Sequence, residues 1–276
     1  MPGQLCKVSA AILLITMLIS CTSQSTSNRN NATVRAGNVL TIKGRIDDVL
    51  LGIVEGQVSG LNTIIITSKG GDNYAATALA KIIYDYHIKV VAREECLSAC
   101  SSFILVASPV VVIEPRTVIG FHQTSTAMDN VLQNSTEPSR ANYYHATSLQ
   151  ERNLYRHIKA SDSLLIRPFL SIIPLCFRMT KIGDEDVAGV STRFAYFIPS
   201  SEQFRQWSHH ESIIGWPNNP SQWSSTLGEM TPSIPSNAFV FQRSEDRDGR
   251  DTIHNRTLQA CGDAPAARLS IASPTQ

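Results

Sequence analysis

Five short runs rich in β-branched residues, separated by helix-forming stretches, leave this chain few folds to choose from. Residues 39–43 (VLTIK), 63–67 (TIIIT), 87–92 (HIKVVA), 110–113 (VVVI) and 117–121 (TVIGF) each read as a strand, and 63–67, bounded by turn residues, as a buried one. Between the first three lie helical patterns. Residues 46–58 carry Val49, Ile53 and Val54 at helical spacing, with Asp47 and Asp48 in the first turn, where the helix dipole favours negative charge. Residues 73–86 place Ala76, Leu79, Ala80 and Ile83 on one face. This rhythm predicts an α/β fold with a largely parallel sheet, right-handed crossovers, and functional groups gathered at the carboxyl ends of the strands.

The remainder is less regular. Residues 101–107 read as an apolar helix, and 128–140 as a polar insert or lid. Residues 143–170 form an amphipathic helical stretch, 187–199 a strand and turn, and 200–207 a short helix. The ends carry different signals. Residues 10–21, AAILLITMLISC, follow Lys7 and are too short for a membrane span of about 20 apolar residues. They suit a secretory signal, and Leu18-Ile19-Ser20-Cys21 resembles a bacterial lipoprotein cleavage box with Cys21 as the lipidated residue. Residues 1–20 are thus expected to be a signal peptide and 21–37 a polar tether. The folded domain is expected over 38–207, with a poorly structured extension over 208–276.

A lipid-anchored protein on the periplasmic side of the cell envelope follows from that reading, with a soluble secreted protein as the alternative. Without Cys6 and Cys21, four cysteines remain: Cys96, Cys100, Cys176 and Cys261. In an oxidising compartment they permit two disulfides in three connectivities, of which Cys96–Cys100 with Cys176–Cys261 is the preferred one. A formal charge of +1 gives no reason to expect nucleic acid as a partner. The seven histidines are scattered, and His209-His210 lacks ligand-spaced neighbours apart from Glu211. Neither a metal nor a cofactor is expected.

Three loops past strand ends carry chemistry-bearing residues: Gly70-Gly71, Ser98 and His122. A serine hydroxyl becomes a nucleophile when a base accepts its proton and donors hold the resulting oxyanion. Ser98 precedes a helix start, whose first amides point at anything bound there. Gly70-Gly71 supplies a turn without β-carbons, where a backbone N–H can approach a substrate closely. Each signal alone has a blander reading as a turn, a helix start or a packed histidine. Their order at successive strand ends is what favours a site.

These segments (IIITSKGGDNYAATALAKII, CLSAC and PRTVIGFHQ) resemble the proteolytic subunit of the Clp protease. More closely they resemble a family of exported bacterial Clp-protease-like proteins in the crotonase superfamily. The resemblance covers residues 39–125 and, more faintly, 140–207. It implies repeated β-β-α units, a peptide or protein substrate and self-association. Position by position it implies Ser98 as nucleophile, His122 as general base, and the N–H groups of Gly71 and Ala99 as oxyanion donors. Cysteines at Cys96 and Cys100 also fit the exported family, where a disulfide would brace the turn that presents Ser98. The family's third member, an acid, would fall near Ala195, where no carboxylate stands. Asp186, with its neighbours Asp184 and Glu185, and Asp162 are the candidates to replace it. A serine hydrolase, chiefly a peptidase, is the expected activity. The alternatives are a catalytically degenerate envelope lipoprotein that binds or assembles, and an acyl-CoA enzyme, which export disfavours.

Overall fold

The structure is a computed structural model that describes residues 25–28, 31–133, 142–182, 185–217, 238–241, 257–261 and 268–270. The signal segment and Cys21 lie outside them. The main sheet runs in the order β1 (Ser25–Asn28), β2 (Asn31–Ala36), β3 (Val39–Gly44), β4 (Thr63–Ser68), β5 (Lys89–Leu97), β6 (Val110–Ile113) and β11 (Ser212–Ile214). Pairing is parallel from β3 through β11, with β1–β2–β3 an antiparallel margin. The expected α/β class with a largely parallel sheet is met. Leu40, Ile42, Ile64, Ile66, Val90, Ala92 and Val111 share one face of the sheet and are buried without exposure, while Thr41 and Ile65 on the opposite face are only partly buried.

The repeated β-β-α unit is also present, because each long strand is followed by a short extended piece. Those pieces pair with one another in a second tier. Ile46 bridges Gly71, Ser68 pairs Cys96, and Cys96 and Leu97 pair Ile119 and Gly120 of β7 (Val118–Gly120). Phe121 then bridges Phe197 in β10 (Tyr196–Ile198). Helices follow the tier: α1 (Asp48–Gln57), α2 (Asn73–Asp85), a π-helix (Cys100–Leu105) and α3 (Ser125–Gln133). Asp47 caps α1 by accepting from the Leu50 amide, and Asp72 caps α2 by accepting from that of Ala75. The buried face of α1 is Leu50 and Val54, whereas Val49, expected inside, is about half exposed.

Several expectations are corrected. The tether over 21–37 contains β2, which pairs along its length with β3 and buries Asn31 and Thr33. The alternation places Ala32 and Val34 outward and Asn31 and Thr33 inward, where Asn31 is accommodated by donating to the Asp47 carboxylate. Residues 125–133, partly assigned to a lid, form α3, with Ala127, Met128 and Asp129 buried; 134–141 lie outside the described residues. The stretch 143–170 is two helices, α4 (Asn142–His157) and α5 (Ser163–Ser171). Lys159 takes a left-handed φ of 58°, and the Ala160 amide bonds back to the Tyr155 carbonyl, a helix-terminating arrangement. Strand β8 (Pro174–Ile182) pairs antiparallel with β9 (Glu185–Thr192), in a sheet completed by β13 (Thr257–Ala260) and β14 (Arg268–Ser270).

The extension beyond 207 is not a loose tail throughout. Strand β11 joins the main sheet, β12 (Phe239–Phe241) pairs β10, and Cys261 bonds Cys176. After α6 (Ser201–Ser208), Trp216 stacks on Phe204 at 4.1 Å and donates its indole N–H to the Pro199 carbonyl. Its sequence is polar on average, which hides the few aromatic anchors that carry it into the core. We expect Trp216→Ala to cost about 3–5 kcal/mol of stability in urea unfolding, as truncation of a buried aromatic does. A tail without a structural role would leave the midpoint where it was.

Candidate active site

Strand β5 runs five residues beyond its expected end because the charged stretch Arg93-Glu94-Glu95 is anchored from outside. Arg93 makes two hydrogen bonds to Glu114, both 2.8 Å, and Lys43 pairs with Glu94 at 2.6 Å. Past Leu97 the chain turns sharply at Ser98, which adopts a left-handed φ of 58°. For a residue with a β-carbon, a backbone in that region is a sparsely populated state held by its surroundings, and such states cluster at functional sites. The surroundings here are specific. The Ser98 amide donates to the Gly120 carbonyl at 2.9 Å, and the Ser98 carbonyl accepts from the Ser102 amide and the Ser101 hydroxyl, both 2.9 Å. The same Gly120 carbonyl accepts from the Ser101 hydroxyl at 2.5 Å.

The disulfide Cys96–Cys100 brackets this turn, with Cα atoms 5.2 Å apart. Cysteines four apart on a regular helix would be poorly placed for a bridge. These are not on one helix: Cys96 ends a strand and Cys100 opens the π-helix, so the chain reverses between them. The second bridge, Cys176–Cys261, completes the preferred connectivity.

His122 follows directly from the tier. Phe121 and Phe197 exchange backbone hydrogen bonds of 2.9 and 2.7 Å, which fixes the end of β7. Two residues beyond Gly120, the half-buried His122 then brings its Nε2 to 2.5 Å from Ser98 Oγ. Burial pushes the imidazole down to about 4, so it is neutral at neutral pH and Nε2 can accept the serine proton. Its Nδ1 has no hydrogen-bond partner among the described residues. The segment aligned by resemblance with the missing acid does arrive at the imidazole, but with an aromatic ring. Tyr196 lies edge-on to His122 with centroids 5.6 Å apart, and stacks on Phe239.

The glycine turn packs against the serine turn. A β-carbon on Gly70, whose φ is 96°, would lie 2.6 Å from Ser98 Cβ and 2.9 Å from the Ala99 amide nitrogen. One on Gly71 would fall 2.0 Å from the Ile46 carbonyl oxygen, so neither position admits a side chain without movement. Among the described residues, neither the Gly71 amide nor the Ala99 amide donates to a protein acceptor. Beside this turn opens a pocket of about 410 Å³, lined among others by Lys43, Arg45, Lys69, Gly70, Gly71 and Glu95.

Ser98, His122, Gly70-Gly71 and Ala99 are thus brought together. The acid candidates are not. Asp162 lies at the start of α5 with a carboxylate oxygen 3.7 Å from Arg152, and it makes no bond to the imidazole. Asp186 sits in β9 opposite Lys181; its side chain, like Asp184 and the side chain of Glu185, lies outside the described residues. Two neighbours of the site were not anticipated. Tyr196 lies in the segment where the resemblance places the acid, and an aromatic residue there gives no sequence signal of contact with an imidazole. Glu151, fully buried on α4, carried no signal beyond its place on an amphipathic helix.

No protein-family model and no curated protein matches this chain. Among solved structures, it is similar to a point mutant of ClpP1 from Listeria monocytogenes, with 18% identity over 68% of this chain and 95% of that one, at a TM-score of 0.39. A methylmalonyl CoA decarboxylase shows 12% identity over 38% of this chain and 50% of that one, at a TM-score of 0.29. The fold class stands on the strand order itself.

The two disulfides are expected to differ in what they hold. By loop-closure entropy, removing Cys96–Cys100 as a double Cys→Ser variant costs about 2 kcal/mol, and removing Cys176–Cys261 about 4–5 kcal/mol, since it closes the longer loop. Urea unfolding of the two variants checks the order. The short bridge, despite its smaller stability cost, is expected to have the larger effect on Ser98 reactivity.

Proposed function

We propose that this chain is a serine hydrolase acting on peptides or proteins, with Ser98 as nucleophile, His122 as base and the Gly71 and Ala99 amides as oxyanion donors. The observation that carries the reading is the 2.5 Å contact between Ser98 Oγ and His122 Nε2, made from a turn held in a left-handed conformation beside two amides that are unengaged among the described residues. Ser98 Oγ attacks the scissile carbonyl carbon while its proton passes to Nε2. The carbonyl oxygen gains the electron pair and is held by the two amides. Collapse of that intermediate expels the amine, which takes the proton from Nε2 and leaves an ester on Ser98. Water, deprotonated by the same imidazole, then releases the acid and restores the serine.

The resting site works as a Ser–His pair. For Nε2 to accept, Nδ1 must carry the proton, and no partner among the described residues fixes that tautomer. Loss of the orienting acid costs about 10⁴ in rate in a serine protease triad, so slow turnover is expected. We further propose that the protein works in the cell envelope after export, anchored through Cys21. Two disulfides support an oxidising compartment. Pairing of copies through this fold is part of the same reading.

One observation favours a second reading, a binding or assembly protein that has kept the fold. An imidazole with an aromatic ring at its side and no acid partner among the described residues is what a site released from catalysis would retain.

A serine-directed fluorophosphonate separates the two readings. Wild-type protein is expected to be labelled on Ser98; Ser98→Ala abolishes labelling and His122→Ala slows it at least 100-fold. Absence of wild-type labelling in folded protein leaves the scaffold reading. The pH profile has a definite sign. Protonating the imidazole removes the base, so the rate is expected to be constant above about pH 5 and to fall below it with a midpoint near 4. An ordinary histidine would give a midpoint near 6.5.

A further inference from the structure

The three loops of the site converge on one face of α4. Glu151 is fully buried there, and its carboxylate spans two of the loops. Oε1 accepts from the Asn73 side-chain amide at 2.9 Å and the Ser125 backbone amide at 3.0 Å; Oε2 accepts from the Thr126 amide at 2.7 Å. Asn73 stands two residues after Gly71, and Ser125 three after His122. Asn73 also donates to the Ser125 hydroxyl at 3.2 Å, so the two loops meet at the carboxylate. One turn further along α4, the buried Tyr155 hydroxyl donates to the Ser102 carbonyl at 2.6 Å, inside the π-helix that follows Ser98.

We propose that Glu151 is a positioning residue, which holds the His122 loop in register with the Gly71 turn through one buried carboxylate. The proposal rests on the hydrolase reading for its consequence, and on the hydrogen bonds alone for its geometry. A capping role is part of the arrangement, since Ser125 and Thr126 begin α3 and an anion is favoured at a helix start. Capping alone does not account for Asn73. That residue belongs to another helix, and its bond to the same oxygen as Ser125 makes the carboxylate a bridge between loops. Three amide donors on two oxygens favour the ionised form, against burial, which pushes the Glu151 pKa up. A glutamine would replace one acceptor oxygen by a donor that faces donors, and the bridge would open.

The test uses the whole folded protein and two readings. One is the His122 imidazole titration followed by NMR, which needs no activity. The other is the second-order rate of Ser98 labelling by a fluorophosphonate. In Glu151→Gln the labelling rate is expected to fall 10- to 100-fold. The imidazole midpoint is expected to move up from about 4 toward the ordinary histidine value as the ring gains solvent. Removing a nearby negative charge would by itself lower the midpoint, so an upward shift reports displacement. Val54→Ala, buried on α1 and away from the site, is the control for a general loss of stability. A Glu151→Gln protein that is destabilised like the control, with wild-type midpoint and rate, overturns the proposal. Where wild-type protein does not label, the hydrolase reading falls and the titration alone judges the bridge: an unmoved or lowered midpoint overturns it and an upward shift supports it. If Glu151→Gln does not fold, Asn73→Ala, which leaves the α3 start capped, is read by the same measurements, with an unchanged midpoint and rate again overturning the proposal.

Discussion

One carbonyl oxygen, that of Gly120, sets the geometry on which the site depends. It receives the Ser98 amide and the Ser101 hydroxyl, and so locks the sharp turn after β5 to the end of β7. Two residues later the chain presents His122. Backbone pairing therefore sets the starting separation of hydroxyl and imidazole, and the Glu151 carboxylate adds a side-chain tie to the His122 loop. The backbone pairing explains how a serine can be kept at a left-handed φ. The strain is local, while the hydrogen bonds that resist its release belong to the second tier of the sheet.

The proposed chemistry inherits both the strength and the weakness of this arrangement. Contact between Ser98 and His122 is short and comes from rigid elements. The imidazole, however, has the Tyr196 ring beside it and no acid partner among the described residues. Among the described residues no carboxylate offers electrostatic help there to the imidazolium that forms during attack. Burial lowers the proton affinity of His122, which keeps the base free but makes it a weak one.

Much of the architecture was legible because β-branched runs and turn residues report burial directly. Thr63–Ser68 and Val110–Ile113 are strands for the reason their composition suggests. Ser98, His122 and the glycine pair were legible as loop residues at strand ends. What escaped reading depended on distant partners. Strand β5 continues through charged residues because Glu114 and Lys43 neutralise them, and β2 is ordered because β3 offers a ladder to polar residues. Trp216 and Phe239 reach the core from a segment whose average polarity conceals them. Glu151 could not be picked out, since an interior carboxylate looks like a surface one until its three donors are known.

The bridge around the serine turn carries a consequence for how the chain matures. Both Cys96 and Cys100 are wholly enclosed, with no exposure to solvent. An oxidant would find no route to either thiol once the sheet and helices have closed over them. Bond formation must therefore come early, while the segment is still open. A chain that collapses in a reducing environment would be trapped with its thiols shut away, and later transfer to an oxidising one would not repair it without partial opening.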